Sequence, residues 1–169
     1  MKKLILSCIV TIAAVTSFAA DTYSLRSLFK QMPDSVIPYL STTNRLDFLD
    51  FMDSQMKAEV TNSFGGKSQM TVLTDTLITI RLNDACTVDL LLLDTEGSPI
   101  DSCNCVIALV RTIGLESEVK ETDAPEFYSV KWQRLESRPV LATSDRERLS
   151  VRLKRSNILN FLKDILNKD

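Results

Sequence analysis

Apolar residues recur at helical spacing in the first third of the chain and at a period of two through most of the remainder. In YSLRSLFKQ (23–31) Leu25, Leu28 and Phe29 fall on one side of a helix, and Pro33 stops it. Asp34 and Ser35 restart a short turn that places Pro38 near its beginning, where proline is tolerated. A second helix is predicted from an N-cap at Asn44, with Asp47 at the third helical position reaching back to the free amides. At about 100° per residue its Phe48, Leu49, Met52 and Met56 share one face, flanked by Leu46 and Phe51. Asp47 and Asp50 fall opposite, and Asp53 at the edge is placed to pair with Lys57 four residues on. These evenly spaced aspartates read as the wet side of a packing helix. An acidic site would need converging carboxylates with partners, and neither histidine nor a second acidic cluster is near.

From Lys57 the alternation becomes that of strands. KAEVTN, the turn at Gly65-Gly66 and SQMTVLT form one strand–turn–strand unit. Asp75 punctuates before LITIRLN, and Asn83-Asp84 turns into CTVDLLLL. The loop DTEGSP leads to CNCVIALVRTI, which Gly114 ends; after Pro125 comes EFYSVKWQRL. PVLA, TSDRE and RLSVRLK then predict a hairpin. Ser156 or Asn157 caps a closing helix whose Ile158, Leu159, Phe161, Leu162, Ile165 and Leu166 share a face. Ile78-Thr79-Ile80-Arg81-Leu82 echoes Leu149-Ser150-Val151-Arg152-Leu153, as two related sheet units would, although any amphipathic strand reads this way. The expected fold is α+β: N-terminal helices and a C-terminal helix packed on an antiparallel, meander-like sheet of about seven to eight strands.

The chain begins MKKLILSCIVTIAAVTSFAADTYS, with two lysines, an apolar run from Leu4 to Ala14 and small residues at Ser17 and Ala19. This is the pattern of a secretory signal peptide cut after Ala19. The run is shorter than the roughly 20 residues a membrane span needs, and Cys8 lies too near the N-terminus for a lipid-anchor box. No second run of about 18 apolar residues comes later, so no transmembrane segment is expected after cleavage. Residues 20–169 fit a single domain.

Charge and cysteine alter the picture little. Residues 20–133 hold 9 basic and 17 acidic side chains, residues 134–169 hold 9 and 5. The basic tail reads as elements lying beside an acidic sheet, and nucleic acid is not an expected partner. Cys86, Cys103 and Cys105 remain after cleavage, an odd number. Cys103-Asn104-Cys105 is not the C-x-x-C redox spacing, and neither a disulfide nor its absence follows from it.

The chain has no histidine. That removes Ser-His-Asp and Cys-His mechanisms and imidazole acid–base steps. With four glycines there is no phosphate-cradling loop or dinucleotide fingerprint. Asp94-Thr95-Glu96-Gly97-Ser98 lacks the further ligands of a calcium loop. Ser27-Leu28-Phe29-Lys30 matches Ser-x-x-Lys, and Lys30 there reads as a solvated flank. Tyr128 and Trp132 fit a core or a ligand groove. No catalytic, cofactor-binding or metal-binding residue is assigned, and no cofactor is expected.

MPDSVIPYL, NRLDFLDFMDSQMKAEVTNSFGGKSQMTVLT and EFYSVKWQRL resemble a family of exported, uncharacterised proteins of Bacteroides-type bacteria, over roughly residues 29–134. The resemblance implies export and a shared fold and carries no catalytic residues. The expectation is an exported periplasmic or envelope protein that binds a ligand or protein without catalysis. The alternative is a histidine-free hydrolase whose carboxylates stand about 5–10 Å apart in a pocket; a weaker option is binding of an anionic surface through the basic tail. If the leader is cut as expected, mass spectrometry of protein from the native host finds an N-terminus at or near Ala20, and an intact Met1 on the mature protein refutes it.

Overall fold

A computed structural model describes residues 23–97, 99–114 and 121–153. The expected leader and closing helix lie outside these residues. Helix α1 (Leu25–Gln31) is short and buries Leu25, Leu28 and Phe29, as its spacing requires. Helix α2 (Thr42–Asp53) starts three residues earlier than expected, because the cap is Ser41 and not Asn44. The Ser41 hydroxyl accepts the Asn44 amide at 3.2 Å, and the Asn44 side chain accepts the Ser41 amide at 3.2 Å, a reciprocal capping box. Asn44 is therefore the third helical residue, and Asp47 does not cap.

The helix ends at Asp53, and Gln55 takes a left-handed conformation (φ 55°). Met56 consequently leaves the predicted apolar face and is 59% exposed. The expected Asp53–Lys57 pair is lost for the same reason, since the fourth residue on is no longer one helical turn away. Asp53 pairs with Arg26 instead, and Lys57 with Glu59. Phe48 and Leu49 are buried and Asp50 is exposed, so the packing face is the expected one at its centre.

Five strands, β1 (Glu59–Thr61), β2 (Lys67–Leu73), β3 (Leu77–Asn83), β4 (Cys86–Asp94) and β5 (Cys105–Ile113), form an antiparallel meander in chain order. Beyond β5 the last position is shared by β6 (Glu121–Thr122), which pairs with Thr112 and Ile113, and β7 (Glu126–Tyr128), which pairs with Ile107 to Leu109. The sheet is thus open and six strands wide, slightly narrower than expected. The turn between β1 and β2 uses Gly65 at φ 80°. Buried Asn62 ties it down: its side-chain oxygen accepts the Phe64 and Gly66 amides, and its amide group donates to Ser68 Oγ and the Leu82 carbonyl.

Two predicted strands are corrected. EFYSVKWQRL is not one strand; it folds back after Ser129. Ser129 donates to Gln133 O and Leu135 to Phe127 O, at 2.9 and 2.8 Å, and Trp132 sits in the turn at φ 62°. Of the hairpin expected over PVLA to RLSVRLK, the turn and second strand are instead helix α3 (Thr143–Arg152), while Leu141 of the first makes a single antiparallel bridge to Thr95. Leu149-x-Val151-x-Leu153 alternates like a strand, but Asp145, Leu149 and Leu153 also repeat at four, and these three are buried while Val151 is 76% exposed. The echo of Ile78–Leu82 in Leu149–Leu153 therefore joins a strand to a helix and records no repeated unit.

The core has two layers, one on each side of the sheet. Val88, Leu90, Leu92, Cys105, Ile107 and Leu109 face α1, α2 and the linker between them; Leu91, Leu93, Val106, Ala108 and Val110 face α3 with Leu141 and Phe127. Three buried polar groups position these layers. Arg45 in α2, only 1% exposed, donates to Asp34 (2.7 Å), the Leu40 carbonyl (2.8 Å) and Thr42 Oγ (3.0 Å), folding the linker over the helix start. Asp145 of α3 accepts the Asp94 amide (2.5 Å) and the Arg148 guanidinium (2.5 Å). Asp89, inward on β4, accepts Thr79 Oγ at 2.5 Å. A disulfide joins Cys103 and Cys105, while Cys86 is free and half-buried. A bridge across two residues closes so small a loop that chain entropy yields only about 1.5 kcal/mol. Among the described residues no helix is long and apolar enough to cross a membrane.

Denaturant melts test the assignment of faces. Leu49→Ala should cost roughly 2–5 kcal/mol through lost burial and a cavity. Arg45→Ala should cost roughly 2–3 kcal/mol, from hydrogen bonds made by a charged group, because the exposed Asp34 it leaves behind rehydrates. Asp50→Asn should stay within about 0.5 kcal/mol. An Asp50 effect larger than that of Leu49 would reverse the face.

Candidate functional site

An open cleft of about 300 Å³ lies where α1, the end of α2 and the β2–β3 turn meet; Arg26, Met52, Asp53, Leu73, Thr74 and Asp75 line it. Local structure explains its geometry. The Leu25 amide donates to the Asp75 carbonyl at 2.8 Å and Ser24 Oγ to the Asp75 carboxylate at 2.9 Å, so the start of α1 is pinned on the β2–β3 turn. That turn is set by Thr74, whose hydroxyl accepts the Leu77 amide at 2.9 Å. Arg26, one residue into α1, then reaches Asp53 at the last turn of α2.

The Arg26–Asp53 contact is bidentate: one guanidinium nitrogen donates to Asp53 Oδ2 at 2.8 Å and the other to Oδ1. The hydrogen bond from Arg26 holds the Asp53 carboxyl below its ordinary range, and Arg26 is raised in turn. Lys30 adds a weaker favourable charge beside Asp53. Met52 and Leu73 supply the apolar part of the lining. The arrangement offers paired charges beside an apolar wall, suited to orienting a polar ligand. Asp53 and Asp75 are both exposed, whereas a carboxylic acid that must keep its proton near neutral pH needs removal from water.

A second charged group, on the other half of the sheet, joins structure to structure. Glu126 of β7 is bonded by Arg111 of β5 and by the Tyr128 hydroxyl at 2.8 Å, and Arg111 also donates to the Val36 carbonyl at 3.3 Å. Burial works to raise Glu126, but the Tyr128 and Arg111 hydrogen bonds outweigh it and its carboxyl sits low. Burial and the Glu126 partner push Tyr128 up to about 12. The other residues singled out from sequence disperse. Asp47 is half-exposed and Asp50 exposed on α2, and Ser27 and Lys30 are exposed on α1. Trp132 and Tyr128 belong to the core and not to a groove: both are buried, and Trp132 Nε1 donates to the Leu28 carbonyl at 2.9 Å. Among the described residues no three Asp, Glu or Cys side chains gather as a metal-binding group.

Of the three aspartates in α2, only Asp53 reaches the cleft. Arg26 and Ser24 carried no signal in the sequence, and Asp75 read as strand punctuation; what makes them neighbours is contact across 51 residues of chain.

Residues 16–167 match the family described as Protein of unknown function (DUF3256). The chain belongs to this family. Comparison with curated proteins finds no match. Among solved structures, that of a domain of an uncharacterized protein from Porphyromonas gingivalis W83 is similar, with a TM-score of 0.52 and 23% identity over 67% of this chain and 54% of that one. This chain thus spans about half the length of that relative, and at this identity the likeness concerns the fold alone. It places this DUF3256 member's architecture with that of a protein from a Bacteroides-type bacterium, in line with the resemblance seen in the sequence.

The Arg26–Asp53 pair has a measurable sign. A carboxyl lowered in the folded state contributes stability that is present above its ordinary pKa and is lost as pH falls through the lowered value. In Arg26→Gln the Asp53 carboxyl carbon, followed by NMR, should titrate at higher pH than in the parent protein. An unchanged midpoint would show that the pair does not form in solution.

Proposed function

We propose that this DUF3256 member is an exported, non-catalytic binding domain of the cell envelope, with the Arg26–Asp53–Asp75 cleft as its ligand site. The observation that carries the binding reading is the bidentate Arg26–Asp53 pair. It engages both Asp53 oxygens with the Arg26 guanidinium, so that carboxylate is committed to a partner within the chain and fixes the cleft's charge arrangement. With Asp75 beside it and Met52 and Leu73 as an apolar wall, the pair forms a preorganised set of donors and acceptors suited to orienting a polar ligand. Export is supported by the lysine-led apolar leader ending at Ser17-x-Ala19. The Cys103–Cys105 bridge supports it as well, because disulfides persist in oxidising compartments.

One observation favours the alternative, a histidine-free hydrolase: Asp53 and Asp75 line the same cleft. The readings separate on purified protein. Thermal-shift and calorimetric screens of oligosaccharides, amino acids and short peptides should find a ligand whose binding weakens in both Arg26→Gln and Asp75→Asn. Glycoside, ester and peptide panels should show no turnover. Turnover abolished by Asp53→Asn or Asp75→Asn, with the fold intact, would overturn binding in favour of hydrolysis.

A further inference from the structure

The disulfide at the head of β5 sits in unusual backbone. It links residues two apart, holding their Cα atoms 5.4 Å from each other, whereas two residues of a pleated strand span about 6.6 Å. Immediately before it, Ile100 and Cys103 exchange both backbone hydrogen bonds, at 2.8 and 3.0 Å. The two residues between them, Asp101 (φ 53°) and Ser102 (φ 66°), are left-handed. This is the two-residue turn that normally calls for Asn-Gly or Asp-Gly, built here without glycine. From that turn Asp101 reaches Lys131 at 3.6 Å. Lys131 precedes Trp132, itself left-handed and bonded to the Leu28 carbonyl of α1. Cys103, Cys105, Tyr128, Val130 and Trp132 all belong to the core layer under α1 and α2.

We propose that Cys103 and Cys105 form a reversible two-electron couple, a redox clasp that sets the backbone at the head of β5 and the seating of Trp132, and not a staple for the whole fold. Loop length is the first reason. Stabilisation by a disulfide grows with the loop it closes, and a separation of two leaves only about 1.5 kcal/mol to gain. Position is the second. With the ring open, Cys103 to Cys105 can relax to an ordinary pleat, and the shift passes through Asp101–Lys131 to the turn that holds Trp132 against α1. The long ladder from Cys86↔Ile113 to Asp94↔Cys105 stays paired at its other eight positions. Cys86 starts β4 at the opposite end of that ladder, so it is no ready partner for reshuffling.

The chemistry is ordinary exchange with a dithiol. A thiolate of the dithiol attacks one cysteine sulfur, the Cys103–Cys105 bond breaks, and the other cysteine leaves as thiolate. The dithiol's second thiolate then displaces the first cysteine, closing the reagent's own disulfide. Two electrons and two protons pass to the cysteine pair, and the reverse sequence re-forms the bridge. The couple does not depend on the cleft.

The test uses the Cys8→Ser/Cys86→Ser protein, so that only the pair reports. It is equilibrated in graded dithiothreitol and glutathione buffers, with free thiols counted by alkylation and mass spectrometry. Trp132, the chain's one tryptophan, reports by fluorescence. The expected result is full, reversible reduction of the folded protein, with Trp132 emission changing in step with the thiol count. The melting temperature should fall by roughly 5 °C or less. Cys103→Ser/Cys105→Ser should reproduce the emission of the reduced form; the titration reads the couple without that variant. A bridge that yields only in denaturant, a reduced protein that unfolds, or an emission indifferent to the thiol count would each overturn the clasp.

Discussion

Everything in this fold answers to the burial of one strand pair on both faces. β4 and β5 run antiparallel over nine residue pairs, and from Val88 to Leu93 and from Cys105 to Val110 every residue is buried. Most antiparallel strands keep one wet face and alternate; these read as near-continuous apolar runs, as strands covered on both sides do. Two covers are therefore obligatory. Helices α1 and α2 with their linker supply the first, and α3 with Leu141 and Phe127 supplies the second. The outer strands β1 to β3 need only one cover and alternate accordingly, as in the burial of Ile78, Ile80 and Leu82.

Covering a sheet with helices raises the question of what fixes their angle and register, since apolar contact is not directional. Here buried polar groups do it. Arg45 clamps the α1–α2 linker, Trp132 holds α1 by its indole N–H, and Asp145 fixes the start of α3 to the end of β4. Arg148 adds contacts to the Leu92 and Thr76 carbonyls. Each of these groups bonds to backbone or to an opposite charge, which makes its burial tolerable and its position specific, and of the Arg45 guanidinium only Nε is left without a partner among the described residues. The cleft is a by-product of that placement. Where α1 is pinned to the β2–β3 turn, Arg26 and Asp75 come to face the exposed end of α2, and Asp53 closes the set.

The redox pair stands at the opposite end of the central hairpin from the free Cys86, next to the one tryptophan. The same two-sided burial explains why a local change there stays local. Both covers are anchored along the length of β4 and β5, so the head of β5 can alter its pleat while the ladder below it remains paired.

The sequence by itself determined the α+β class, the two N-terminal helices, the meander from β1 to β5 and the buried face at Phe48 and Leu49. It did so because these rest on local periodicity, turn residues and runs of apolar side chains. It also ruled out imidazole chemistry, since an absent residue type needs no structure to interpret. Tertiary structure alone decided the rest. Leu149, Val151 and Leu153 satisfy both a strand period and a helix period, and only Asp145 docking on the Asp94 amide selects the helix. Phe127 to Leu135 alternates like a strand, yet the left-handed turn at Trp132 is chosen by its hydrogen bond to Leu28, 104 residues away in the chain. The cleft was illegible for the same reason. Arg26, Asp53 and Asp75 are ordinary surface residues one at a time, and a pairing between distant segments leaves no trace in the pattern of either.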